Sequence, residues 1–163
     1  MKDNFIDIYA PIIPGRGLGG VELRTHLNEY YDVLNNFDWR NKKNWIPECM
    51  SSFHVGYKKE NICIMIFDIL NGKLMKMTAL KDYEGILLDK IKIGMSLEEA
   101  LEKEENLIYD DEEECYKIQG VNGVIIEPDA YYKYIESITI YISELDEFQN
   151  DFAKSEEIYK GKW

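Results

Sequence analysis

Hydrophobic positions along the chain follow two periods in turn, and the sequence of periods comes round twice. Phe5 to Ile13 is an extended apolar stretch ended by Pro11 and Pro14, and Pro14-Gly15-Arg16-Gly17-Leu18-Gly19-Gly20 after it reads as a turn or irregular loop. Leu27, Tyr30, Tyr31 and Leu34 then recur at helical spacing, which predicts an amphipathic helix over 26–36 ended by Asn35 and Asn36. Asp38 to Pro47 is polar, has no clear period and reads as a connector. Phe53, Val55 and Tyr57 alternate as in a strand, and Lys58-Lys59-Glu60-Asn61 is a turn. Ile62 to Leu70 is β-branched and apolar on both faces, which predicts a central strand. Asn71-Gly72 is the strongest hairpin signal in the chain, and Lys73 to Leu80 is expected to run back antiparallel.

The second round begins with an extended Ile86 to Ile93, broken by Gly94. Ser96-Leu97-Glu98-Glu99 is a capping box, whose hydroxyl and carboxylate each satisfy a free backbone donor of a new helix. Leu97, Ala100 and Leu101 supply its buried stripe. Tyr116 and Ile118 start a strand, Val121-Asn122-Gly123 turns it, and Val124 to Glu127 returns. Pro128-Asp129 is a loop, and Ile138, Ile140 and Ile142 alternate in a final strand. Leu145, Phe148 and Phe152 fit a short helix, after which Tyr159 to Trp163 are expected to be loosely held.

The two rounds align at a constant offset of 70. Val21-Glu22-Leu23, Leu27 and Glu29 lie over Ile91-Lys92-Ile93, Leu97 and Glu99, with Gly15 over Gly85 and Leu18 over Leu88. The fold class expected is α+β, two diverged helix-plus-antiparallel-meander units packed together with the helices on one face of an antiparallel sheet. Residues 1–163 are expected to form a single compact domain, with a pseudo-repeat of approximately 11–80 and 81–143 and an acidic C-terminal tail over 144–163. Leu23, Leu27, Tyr31, Ile93, Leu97 and Leu101 are the expected buried positions of the two units.

Charge is divided unequally between the rounds. Residues 1–97 carry 12 acidic and 13 Lys/Arg residues, whereas 98–163 carry 19 acidic and only 6 Lys/Arg. The net charge of −12 and pI near 4.6 argue against nucleic acid or an anionic membrane as the ligand, because both need cationic neutralisation. The apolar fraction of 45% is enough for a hydrophobic core without disulfide staples. No signal-peptide core or membrane-length apolar run is seen, so a cytoplasmic location is expected. Cys49, Cys63 and Cys115 show no disulfide framework and read as buried free thiols.

Reactive chemistry has little support in the residues. Gly15-Arg16-Gly17-Leu18-Gly19-Gly20 matches G-x-G-x-x-G, but two prolines break the preceding strand and a hairpin series follows, where a dinucleotide site needs a parallel βαβ unit. His54 lies near Cys49 and Cys63, yet three ligands at loose spacing fall short of a structural zinc set. No nucleophile motif is present, and no carboxylate pair stands out as a tuned acid–base couple. The chain is therefore read as having no enzymatic activity, no cofactor and no metal.

The acidic run is the remaining signal. Glu102 and Glu105, followed by Asp110, Asp111, Glu112, Glu113 and Glu114, are the candidate partner-binding residues. Packed like charges of this kind accelerate association with a cationic surface. Two short motifs point the same way. Pro14-Gly15-Arg16-Gly17-Leu18-Gly19-Gly20-Val21-Glu22-Leu23 resembles the opening of immunity proteins from bacterial contact-dependent growth-inhibition and related polymorphic-toxin loci. Ile91-Lys92-Ile93-Gly94-Met95-Ser96-Leu97-Glu98-Glu99-Ala100 resembles a helix-opening repeat found in β-lactamase-inhibitor-like proteins and small outer-membrane assembly lipoproteins. The first resemblance implies a cytoplasmic protein that occludes a cognate toxin domain, the C-terminal region of a large secreted effector. That toxin would be a basic nuclease, and the inhibitor would touch neither nucleic acid nor membrane. The alternative expectation is a small-ligand-binding or enzymatic domain with a pocket on the sheet.

Overall fold

A computed structural model describes residues 5–34, 45–148 and 152–163, without the side chains of Cys49 and of residues 147, 148 and 152–154. Its elements are β1 (Gly17–Leu18), β2 (Val21–Glu22), a 3-10 turn (Leu27–Glu29), α1 (Tyr31–Leu34), β3 (Ile46–Cys49), β4 (His54–Lys59), β5 (Cys63–Asp68), β6 (Leu74–Ala79), α2 (Leu97–Lys103), β7 (Leu107–Asp110), β8 (Cys115–Ile118), β9 (Val124–Pro128), β10 (Ile135–Tyr141), α3 (Glu144–Phe148) and α4 (Phe152–Tyr159). The class is α+β, with short helices against one antiparallel sheet of eight strands in the order β3-β4-β5-β6-β10-β9-β8-β7. Each half of the chain supplies a four-stranded meander, and the two meanders join where β6 meets β10.

Alternation along the strands gives the sheet two unlike faces. Cys63, Met65 and Phe67 of β5, Met77 and Ala79 of β6, Val124 and Ile126 of β9, and Ile138 and Ile140 of β10 form the apolar face and are all buried. Each large apolar side chain buried in this layer contributes about 1.5–3 kcal/mol. Ile6, Ile12, Leu18, Val21, Leu23, Tyr83, Leu87 and Ile91 cover it as turn-rich segments. Tyr83 ties them together, its hydroxyl accepting from Gly19 N–H (2.7 Å) and donating to the Ala10 carbonyl (2.7 Å). The glycine cluster is a two-residue hairpin between β1 and β2, with Gly19 and Gly20 at φ 64° and 77°, where a side chain would be strained.

The hydrogen bonds that seat the two helical segments on the sheet follow one scheme. Arg24 N–H donates to Leu74 O (2.7 Å), Leu74 N–H to Thr25 O (2.9 Å) and Leu27 N–H to Gly72 O (2.8 Å). In the second half Gly94 N–H donates to Ile135 O (2.8 Å), Ile135 N–H to Met95 O (2.9 Å) and Leu97 N–H to Lys133 O (2.9 Å). Arg24 and Gly94 both have positive φ, 71° and 79°, and the side chains of His26 and Ser96 both accept from the turn that follows.

Several elements depart from the sequence reading. The helix expected over 26–36 is a 3-10 turn followed by the four residues of α1, because Tyr30 leaves helical geometry between them. Tyr31 is consequently 58% exposed, and Leu101 on the outer side of α2 is 44% exposed. Leu23 and Leu97 are buried, and Leu27 and Ile93 partly so. Asn35, Asn36 and the first part of the Asp38 to Pro47 connector lie outside the described residues, but the end of that connector belongs to β3. Lys58 and Lys59 belong to β4, leaving Glu60 and Asn61 as the turn. Ile86 to Ile93 is a pair of tight turns with Leu88 and Asp89 at positive φ.

Helices also occupy both faces of the sheet rather than one. α3 and α4 lie over the second face, where Tyr141 donates to Asp146 (2.6 Å) and Asn71 Nδ2 to the Gly161 carbonyl (3.0 Å). The chain end is held there. Trp163 Nε1 donates to buried Asp68 (2.8 Å), and Lys73 Nζ lies 5.5 Å from the Trp163 ring centre and bonds its carbonyl (3.1 Å).

Candidate functional site

β7 closes one edge of the sheet, and the acidic run is its turn into β8. Asp110 is the last residue of β7, and Asp111 to Glu114 form the tip, with Glu114 at φ 51°. Asp110 is half-buried and holds the turn. Its Oδ1 accepts from Glu112 N–H (3.0 Å) and Glu113 N–H (3.2 Å), and its Oδ2 pairs with Lys117 (2.7 Å) on the neighbouring strand. The Lys117 bond, helped by those two amides, holds the Asp110 carboxyl below its ordinary range and raises Lys117. Asp111, Glu112, Glu113 and Glu114 are all exposed, and among the described residues no ion pair shields them.

Of the other two predicted partner residues, Glu102 is exposed on α2 and Glu105 is exposed in the link from α2 to β7. Between them Glu104 plays a different part. It is buried, its Oε2 bonds Lys90 (2.7 Å), and its Oε1 accepts from Asn106 N–H (3.2 Å) and Nδ2 (3.0 Å). Those donors, Lys90 first, lower its pKa and lock the loop that delivers β7. The structure thus separates the acids that build the edge, Glu104 and Asp110, from the acids the edge displays.

Tyrosines join the displayed acids. Tyr109 on β7 stacks at a tilt on Tyr116 of β8 (5.0 Å) and meets Tyr132 edge-on (5.8 Å), its hydroxyl donating to that of Tyr132 (3.1 Å). The shared hydroxyl bond holds Tyr109 protonated well above its ordinary pKa. Tyr132 belongs to a loop folded around Asp129, whose carboxylate accepts from Tyr131, Lys133 and Tyr134 N–H. The loop leaves Tyr131 80% exposed, with Tyr132 and Tyr134 about half exposed. Ile108, Tyr109, Asp110, Asp111, Glu112, Lys117 and Gln119 line an open groove of about 590 Å³. The sequence reading missed the aromatic half of this surface. Tyr109 and Tyr116 were legible as residues, but their alignment depends on β7 pairing with β8.

A second concavity lies under the C-terminal helices. It measures about 290 Å³ and is bounded by the starts of β4 and β6, the end of β5 and residues Leu145, Ile158 and Tyr159. His54 faces it with Nδ1 3.0 Å from Ser51 Oγ, and burial lowers the His54 pKa. Cys63 is on the opposite, buried face of the sheet, so the zinc grouping weighed from sequence does not assemble around these two residues. Burial pushes the Cys63 thiol up to about 12. Among the described residues no cluster of three His, Cys, Asp or Glu side chains could hold a metal, and no helix is long and apolar enough to cross a membrane.

No protein-family pattern and no curated protein matches the chain. Among solved structures it is similar to a cysteine-rich secretory protein from Staphylococcus aureus subsp. aureus Mu50, at 13% identity and a TM-score of 0.45. The match covers 87% of this chain and 50% of that one, so this chain spans about half the length of that protein. A likeness at this level carries no argument about function.

Proposed function

We propose that the protein is an immunity protein that neutralises a basic toxin domain, a nuclease, by stoichiometric occlusion in the cytoplasm, with no chemistry of its own. The observation that carries this reading is the β7 edge, where four exposed carboxylates at the hairpin tip adjoin a group of five tyrosines, Tyr109, Tyr116, Tyr131, Tyr132 and Tyr134, the last three of them exposed. Carboxylates supply encounter rate and selectivity for a cationic cleft, and tyrosines supply contact area at low entropic cost. The two-unit reading belongs with it. The matching hydrogen-bond schemes around Arg24 and Gly94 support a duplicated ancestor, of which the second copy became the acidic, partner-facing one. The test is co-purification with the C-terminal domain of a large secreted effector encoded beside it. A 1:1 complex in which the domain loses its toxicity supports the reading, and absence of a complex at micromolar concentrations sinks it.

The cavity under α3 and α4 favours the second reading, a small-ligand-binding domain with its pocket on the sheet.

A further inference from the structure

The cavity beneath the C-terminal helices has a chemistry of its own. Phe53, Leu70, Leu145 and Ile158 give it apolar walls, and His54, Asp68 and Lys76 give it a polar floor. Its 290 Å³ is at the small end of the range for small-molecule sites. Lys90, Lys103, Lys117, Lys160 and Lys162 each pair with a carboxylate. Lys76 pairs with none among the described residues, although it is half-buried in a chain of net charge −12. Its Nζ lies 6.0 Å from the centroid of the Tyr141 ring. A partly desolvated ammonium with no carboxylate in ion-pair contact is costly, and an arriving anion relieves that cost. Burial accordingly lowers the Lys76 pKa, against the opposing pull of Glu113 and Glu127.

No ion pair joins Asp68 to Lys76 among the described residues, and the Asp68 carboxylate faces two other donors. Oδ1 accepts from Leu70 N–H (2.8 Å) and Oδ2 from Trp163 Nε1 (2.8 Å). Its negative charge on the same floor disfavours phosphate and other polyanions more than a ligand of single negative charge. His54, with its pKa lowered, offers a neutral imidazole beside the cation. We propose that this cavity binds a small amphipathic monocarboxylate, the acid group on Lys76 and the apolar body among Phe53, Leu70, Leu145 and Ile158. The proposal rests on the small-ligand reading, and no residue of the β7 edge lines the cavity.

Titration with sodium hexanoate, followed by amide NMR shifts at constant ionic strength, tests it. Hexanoate should shift the Leu70, Lys76, Leu145 and Ile158 resonances saturably and bind at least about tenfold tighter than neutral hexanamide. Lys76→Met should bring the two ligands within about twofold of each other. Ile158→Trp, which fills the cavity with Lys76 intact, should abolish binding of both. Inorganic phosphate should neither shift these resonances nor compete. Equal affinity for hexanoate and hexanamide, saturable shifts confined to other residues, or no saturable shift at all would overturn the proposal. Binding of the cationic partner by Ile158→Trp reads the β7 edge separately, so failure of one reading is distinguishable from failure of the other.

Discussion

Thr78 and Thr139 face each other across the β6–β10 pair, Oγ1 to Oγ1 2.8 Å, with four strands of the sheet on either side of the contact. Ala79 stands opposite Ile138 on one side of the pair and Met77 opposite Ile140 on the other. The last strands of the two meanders therefore pair antiparallel through this contact. The Thr139 hydroxyl also lies 3.4 Å from Glu127 Oε2, so the pair is tied to β9 as well, with either threonine able to donate to the other.

Thr139→Val is expected to destabilise the fold by about 1–2 kcal/mol, because it removes the hydroxyl partner of Thr78 and the contact with Glu127. Thr78→Val removes only the outer member and should cost about 0.5–1 kcal/mol. Urea denaturation of the two single variants and the double variant should give a coupling of about 0.5 kcal/mol or more. Strict additivity would mean that the two halves of the sheet do not communicate through this pair.

How much of this was legible in the sequence follows from the range of the interactions concerned. α2 was readable because Ser96 and Glu99 are three residues apart and the cap is a local bond, Glu99 N–H to Ser96 Oγ at 3.1 Å. The β5–β6 hairpin was readable for the same reason, Asn71-Gly72 being a local turn signal. β3 was missed because Pro47 argues against a strand, and it sits on the sheet edge where a missing N–H is tolerated. β7 was missed because four residues between two acidic stretches show no period, and pairing with β8 decides their state. At the candidate site the acids were legible as a run, but the division between the structural Asp110 and the displayed Asp111 to Glu114 is set by Lys117 across the strand pair. The Trp163 anchor on Asp68 spans most of the chain and left no local trace.

Trp163→Ala should release the chain end and expose Asp68. With the Asp68–Trp163 bond lost, amide exchange of the last residues should accelerate by at least tenfold, and stability should fall by about 1–3 kcal/mol. Trp163→Phe keeps the ring but not the N–H donor and should recover only part of the protection. Exchange unchanged in both variants would return the end of the chain to the loosely held state expected from its position.

Acid should weaken the fold through Glu104. Its pKa is lowered by the Lys90 bond first and the Asn106 amide next, so the folded value lies below the unfolded one, near 4.3. A depressed carboxylate contributes stability that is full above the unfolded value and is lost as pH falls through the folded one. The urea midpoint should therefore decline below about pH 4.3, and Glu104→Gln should be less stable at neutral pH with a flatter acid limb. Parallel pH profiles for the two proteins would assign the acid limb to other groups.

The displayed acids and the structural one should respond differently to charge reversal. Asp111, Glu112, Glu113 and Glu114 are exposed and in no ion pair among the described residues, so their field extends about one Debye length, roughly 10 Å at 0.1 M salt. Reversing all four to Lys should slow association with a cationic toxin domain by about tenfold or more at low salt. It should remove most of the salt dependence and change dissociation little, as befits charges that steer encounter. Folding stability should hold or rise, since the four repel one another. Asp110→Lys should act the other way. It breaks the Lys117 pair and the two amide bonds of the turn, so it should lower stability and, by loosening the tip, raise the off-rate as well. Tyr132→Ala, which takes a ring from the Tyr109 contact, should also appear mainly in the off-rate. Stopped-flow association and surface-based dissociation at two salt concentrations separate these effects. On-rates indifferent to both salt and the four reversals would move the partner's contact to the near-neutral half of the chain.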